Sequence, residues 1–501
     1  MPRSDLQQSG CFSGLLGVRG GWKLRSPLVR RVGGNRKDSG VVVGPAVPSY
    51  YSVDEKVPAY SELGVPERAE HKCSLVHGDC DFSYGPKSEA WRIGDHSTYT
   101  SQTASRLVLD ANLLKTIEAK LDEINPDLRE LSKKIHANPE LGFQERYASK
   151  HLMKFMGNHG FCVTPCYLGL ETAFRAEYTH GSGGRVLGVN SEMDALPNMG
   201  HACGHNLIAI SGVGIAIAVK EALKAHNVSG KVVLLGTPAE EGGAGKVLLI
   251  ERGGYSDMDA CIMCHPTVGA PQTASDGTTN ALQGIGVEYF GKAAHAGAAP
   301  WEGINALDAA VQAYSNISAL RQQMKPDCRV HGIVEGNGWA PNVIPDYSKL
   351  TYLVRAPSIA EVNELVKRVK ACFEAAAIAT GCRVEMSFEL PYYDLRQNKA
   401  LSENFGDRIS RYGMGLTHNS TTASTDFGNV SYEIPSLHPL YAIPTQPGGG
   451  NHTPAFTASA ITQEAHDATM LVTKGLAHTG FRFLLDDAFA EEVEGEFRNG
   501  K

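Results

Sequence analysis

Long apolar runs are scarce in this chain. No uninterrupted hydrophobic stretch approaches the ~20 residues that a membrane-spanning helix needs, so a soluble protein is expected. Positive charge is not in excess: 47 Lys and Arg stand against 54 Asp and Glu, for a formal net charge of −7. That balance gives no electrostatic reason to expect a nucleic acid or a membrane surface as partner. Cysteine is sparse as well. Eleven in 501 residues make no dense disulfide framework, and an odd total with Cys261 and Cys372 inside apolar segments suits a reducing compartment, the cytoplasm.

Several familiar signatures are missing. There is no HExxH helix and no GxSxG elbow. Gly242 to Lys246 hints at a phosphate loop, but Glu240 and Val247 stand where a Walker sequence needs Gly and Ser or Thr. Cys261-Ile262-Met263-Cys264-His265 has the spelling of a c-type haem attachment site. Such sites belong to exported chains, and no continuous apolar core follows a charged start here. Cys261 and Cys264 are therefore expected to be apolar packing. A thioredoxin-type pair is excluded too, because that motif opens a helix and this one closes a strand pattern.

Residues 1–105 show no sustained period and are rich in Gly, Ser, Pro and Arg. They read as a disordered or targeting-like extension. Arg25, Arg30, Arg31 and Arg36 would suit a mitochondrial transit peptide, but Gly20, Gly21, Gly33 and Gly34 interrupt its apolar face.

From Leu107 the patterns become regular. A helical period runs to Lys134 with a joint expected at Asn125-Pro126, and a second helix covers Tyr147 to His159. Strand patterns at 162–167, 172–178, 186–190, 231–235 and 258–264 then alternate with helical ones at 207–226 and 246–252. This order predicts an α/β domain, a mostly parallel sheet flanked by helices, in two parts, 106–283 and 395–485. Between them, 284–394 reads as β-α-β-β-α-β, the order of a ferredoxin-like α+β domain. An acidic tail, 486–501, follows.

In such sheets sites form beyond the carboxyl ends of the strands. Three successive strands there lead into Cys203 and His205, then Glu240 and Glu241, then His265, and His452 lies beside a distant glycine loop. One thiol, several imidazoles and a carboxylate pair at a shared sheet edge suit a metal. In an extended segment Glu240 and Glu241 would point to opposite sides. One could bind metal while the other faces a metal-activated water as base, later returning the proton to a leaving amine. His295, in a loop of small residues, reads equally as a surface or a functional histidine. Asn342 and Arg355 can clamp a substrate carboxylate or serve ordinary loop chemistry. His136 and His201 read as structural.

Taken together, SEMDALPNMGHACGHNLIA, LLGTPAEEGGAGK, the His of CHP, GKAAHAGAAPWEGINALDA, PNVIP and GGGNHTP resemble the co-catalytic metallopeptidases of family M20, in its amidohydrolase and dipeptidase branch. The resemblance runs from about Asp110 to Phe481. It implies a zinc-exopeptidase-like catalytic domain holding two divalent metal ions, Zn or Mn, on Cys203, His205, Glu241, His265 and His452. It implies Glu240 as general base and His295 as a carbonyl-polarising group that reaches across a homodimer formed by the inserted domain. Asn342 and Arg355 would face the substrate's carboxylate end. The implied substrate is a dipeptide with a basic C-terminal residue, or alternatively an N-acyl amino acid. A non-hydrolytic binding protein on the same fold is the other class. One departure stands out: relatives with a metal-binding His-x-Asp have their counterpart here in Glu192-Met193-Asp194, which implies a different metal pair or a loosely held ion.

Overall fold

The computed structural model describes residues 101–500, with side chains described from Leu114 onward. The extension expected over 1–105 lies outside the described residues except for Ser101–Ser105, which open the first helix.

The first part of the catalytic domain contains α1 (Ser101–His136), α2 (Arg146–Asn158), β1 (Cys162–Pro165), β2 (Phe174–His180), β3 (Val186–Glu192) and α3 (His205–Ala225). It continues with β4 (Gly230–Thr237), α4 (Gly245–Glu251), β5 (Ala260–Ile262), β6 (His265–Thr267) and β7 (Thr273–Ser275). The inserted segment has β8 (Ala281–Phe290), α5 (Ala306–Leu320), β9 (Arg329–Gly336), β10 (Tyr347–Ala356), α6 (Ile359–Thr380) and β11 (Arg383–Phe388). The second catalytic part adds α7 (Lys399–Ser410), β12 (Gly415–Thr417), α8 (Phe427–Glu433), β13 (Ser436–Leu437) and β14 (Leu440–Ala442). It closes with α9 (Pro454–Ser459), α10 (Gln463–Leu485) and α11 (Asp487–Asn499).

Among the described residues the main sheet has the order β1-β2-β4-β3-β5-β13. Its inner strands β4, β3, β5 and β13 pair in parallel, while β1 and β2 form an antiparallel edge. Helices α1, α3 and α10 share one core with that sheet. α1 buries Leu114, Ile117, Leu121, Ile124, Leu128, Leu131 and Ile135, a stripe of alternating three- and four-residue steps. That stripe crosses Pro126, so the expected joint is absent and the helix runs through. Packing on both sides of the proline outweighs its cost of about 3 kcal/mol.

α3 is strongly apolar between Leu207 and Val219 and, by length and composition alone, could cross a bilayer, contrary to the expectation that no such stretch exists. Nearly all of it is buried inside the protein, which makes it a core helix. Gly212 is what lets it lie on β3, since a Cβ there would meet Ser191 Oγ at 2.3 Å and Asn190 O at 2.7 Å.

The inserted sheet has the order β11-β8-β10-β9, antiparallel throughout. Strict alternation in β10 buries Ser348, Leu350, Tyr352, Val354 and Ala356 against α5 and α6. The chain crosses between the two domains twice, and the crossings bridge at Leu282 and Tyr392. The acidic C-terminal segment is a docked helix and not a free tail. Phe489, Ala490 and Val493 of α11 are buried, and Glu496 accepts the Lys399 and Ala400 amides at the positive start of α7, both at 2.8 Å.

α10 is tied to α1 by His466, whose Nε2 lies 2.6 Å from Asn125 Oδ1. Burial, helped by Arg129, lowers His466 from its ordinary value to about 4. The unfolded chain therefore binds a proton here between about pH 6.5 and 4 that the folded chain refuses. This contribution to stability is complete above pH 6.5 and is lost as pH falls through 4. His466→Gln is expected to flatten the acid limb of a melting-temperature profile in that window by several degrees; scanning calorimetry against pH checks it.

Candidate metal centre

β3 ends in Glu192, and Asp194 follows just beyond. The loop after it carries Cys203 and leads into His205, the first residue of α3. Gly204 between them has φ 82°, and a Cβ on it would meet Pro266 Cγ at 2.6 Å, so a glycine is required for the two ligand-bearing loops to touch.

β4 ends at Thr237, and the following loop turns at Ala239 with φ 57°. The buried carboxylate of Glu145 fixes that turn by accepting the Ala239 amide at 2.8 Å and the Thr172 hydroxyl at 2.7 Å. Because the segment is a turn and not a strand, Glu240 and Glu241 do not point to opposite sides as expected. Both face His205 Nε2, with Glu240 Oε2 at 3.8 Å and Glu241 Oε1 at 4.0 Å. His265 opens β6, where the sequence pattern had suggested the end of a longer strand. His452 has φ 64° and its amide is held by Ala202 O at 2.9 Å, which seats its loop beside Cys203.

Cys203, His205, Glu241, His265 and His452 converge here. Donor atoms of Cys203, His205 and His265 lie within 4.8 Å of one another, as do those of Cys203, Glu241 and His452. Cys203 Sγ is 3.2 Å from His265 Nε2, and His452 Nε2 is 3.3 Å from Glu241 Oε2. A sulfur common to both groups has the placement of a bridging thiolate.

The polar atoms themselves demand a cation. His205 Nδ1 lies 3.1 Å from Asp194 Oδ1; donating there leaves a lone pair on Nε2. Three carboxylates surround that nitrogen, and His205 Nε2, Glu192 Oε2 and Glu241 Oε1 are buried without a hydrogen-bond partner. Acceptors converging with no donor are unstable unless positive charge sits among them. Charge counting agrees: Glu192, Asp194, Glu240, Glu241 and Asp426 stand against the single ammonium of Lys246, leaving four negative charges when all are ionised. The Cys203 thiolate adds to that excess when it binds, and two divalent ions offset most of it, so the residues present fit the metal.

Burial, with Glu192 and Glu241 adding to it, raises the Glu240 carboxyl well above its ordinary value. Its backbone is pinned from the domain crossing, where the Tyr392 hydroxyl donates to Glu240 O at 2.7 Å and accepts from the Ala244 amide at 3.2 Å. His201 and His438 are buried and held neutral, each pushed down to about 3 by burial and then by a neighbouring histidine. His136 instead meets Thr457 O at 2.8 Å.

The inserted domain contributes unequally. Arg355, near the end of β10, pairs across to Leu282, donates to Ser424 Oγ at 2.8 Å and feels the charge of Glu240. His295 and Asn342 lie at the other end. His295 bridges to Val343, and Asn342 O accepts the Ala296 amide. The ten-residue β10 separates the two ends by about 30 Å at ~3.3 Å per residue. Asn342 and Arg355, expected to clamp one carboxylate together, are therefore apart within one chain. Lys246 and Asp426 were not singled out from sequence, and Glu192 and Asp194 were noted only as the counterpart of a His-x-Asp motif, without a role of their own. The spacing of Glu192 and Asp194 at a strand end, which puts both on one face, was the available signal.

A parallel sheet edge carrying thiol, imidazole and carboxylate donors around a further carboxylate has the make-up of a metal-dependent hydrolase. Residues 281–381 match the peptidase dimerisation domain of M20 peptidases. The chain is 43% identical to a Xaa-Arg dipeptidase of Mus musculus, over 78% of this chain and 93% of that one. It is 40% identical to the Xaa-Arg dipeptidase of Homo sapiens with the same coverage. The fold matches a dinuclear metal-binding M20 peptidase of Bacillus subtilis with a TM-score of 0.56 at 22% identity, covering 72% of this chain and 99% of that one. The chain belongs to peptidase family M20.

Proposed function

We propose that the protein is a dipeptidase that hydrolyses dipeptides with a basic C-terminal residue, using two divalent ions, Zn or Mn. The convergence of five donor side chains around Glu240 carries the reading, and the 43% and 40% identity to Xaa-Arg dipeptidases supports the substrate class. The thiolate and imidazoles favour zinc, while the carboxylates admit manganese. When bound, the ions supply a polarised water and a Lewis-acid hold on the scissile carbonyl. Glu240 takes the proton of the attacking water and passes it to the departing amine. The Arg355 guanidinium receives the substrate carboxylate.

His295 and Asn342 come from a second copy joined through the inserted domain. His295 Nδ1 accepts the amides of Gly297 at 3.2 Å and Ala298 at 3.1 Å. Nε2 then carries the proton and serves as donor to the carbonyl oxygen. The described cysteines are free thiols, which supports a cytoplasmic setting.

Chelator-treated protein is expected to lose at least ~100-fold in kcat/KM, with recovery on adding zinc or manganese. On a panel of substrates, Xaa-Arg and Xaa-Lys dipeptides are expected to exceed N-acyl amino acids in kcat/KM. A preference for the N-acyl compounds would move the assignment to an aminoacylase.

A further inference from the structure

Resting on the metal-dependent reading above, we propose that Glu192 is an additional ligand of the ion on the His205 side, fixed in place by a buried Lys246–Asp426 clamp. Glu192 closes β3 and is fully buried. One of its oxygens, Oε1, lies 2.6 Å from Lys246 Nζ. The other, Oε2, has no hydrogen-bond partner and lies 3.5 Å from His205 Nε2, which has none either. Two donors bound tetrahedrally to one ion at ~2.0–2.2 Å stand about 3.4 Å apart. Donor atoms of Glu192, His205 and Glu240 also fall within 4.8 Å of one another. The geometry is that of neighbouring ligands on one centre.

The clamp explains why only one oxygen is offered. Lys246 is fully buried, where an ammonium does not settle without anionic partners. Asp426 holds it twice, accepting from Nζ at 2.5 Å with Oδ1 and from the Lys246 amide at 2.9 Å with Oδ2. With Oε1 taken by Lys246 Nζ, Oε2 is the oxygen left facing His205. Asp426 lies 180 residues from Lys246, beyond the inserted domain, so the second catalytic part helps to set a ligand on the first.

The competing account is an imidazolium at His205 serving Asp194 and Glu192 together, with the triad purely structural. Full-length protein loaded with zinc or cobalt separates the two. Metal content by mass spectrometry, competition with a chelator and the cobalt absorption spectrum are measured for wild type, Glu192→Gln and Lys246→Met. Glu192→Gln keeps the side-chain shape, and the melting temperature of chelator-treated protein reports folding for each variant. Both variants are expected to release one ion about 10–100-fold more readily and to alter the cobalt spectrum, while the other ion stays. Unchanged competition and spectrum in Glu192→Gln, with only the chelator-treated melting temperature lowered, would overturn the proposal. Wild-type protein that binds no ion would overturn it together with the metal reading, and that result is visible before any variant is compared.

Discussion

Replacing Glu240 by glutamine is expected to lower kcat about 10³-fold, equivalent to about 4 kcal/mol of transition-state stabilisation, while KM and bound metal change little. The amide preserves the shape of the side chain and its packing below the domain crossing, but it can neither take a proton from water nor return one to an amine. Glu240 has the setting a base needs. Burial and the neighbouring charges of Glu192 and Glu241 raise its carboxyl, and the Tyr392 hydroxyl fixes its backbone. Glu241, proposed above as a ligand, is one residue away, so loss of metal is the confounding outcome. Metal content measured on the same preparation separates the two. Turnover within ~10-fold of wild type, with two ions bound, would remove Glu240 from the chemistry.

The donor set was legible in the sequence because each member follows a strong local pattern. Cys203 and His205 follow the loop after one apolar strand run, Glu240, Glu241 and His265 come directly after two others, and such positions meet at one sheet edge. His452 was a candidate from its glycine loop and from the resemblance carried by GGGNHTP, since no strand leads into it. What escaped depends on contacts between distant segments. The pairing of Lys246 with Asp426 spans the whole inserted domain, and nothing local marks either residue as buried and charged. Likewise Pro126 reads as a break until the stripe on both sides of it is seen packed. The helical end at 487–499 reads as an acidic tail until Glu496 is found at the start of α7. The direction of Glu240 and Glu241 was misjudged for a related reason. Strand alternation was extended past Thr237 into a turn set by Glu145, a residue nearly a hundred positions earlier.

The separation of His295 from its own chain's metal centre leads to the second large effect. Neither Glu240→Gln nor His295→Ala protein is expected to work alone, yet a mixture of the two, unfolded and refolded together, is expected to recover activity. A site built from one copy's floor and the other copy's His295 has a definite arithmetic. In a mixed dimer one site receives both lesions, and the other receives an intact Glu240 with an intact His295. Random pairing of equal amounts makes half the dimers mixed, so about a quarter of all sites are whole. If His295 instead served the centre of its own chain, every site in every dimer would carry one lesion, and the mixture would stay inactive. The stretch of β10 between the His295 loop and Arg355 is what makes recovery the expected result, because a side chain cannot span the length of a strand.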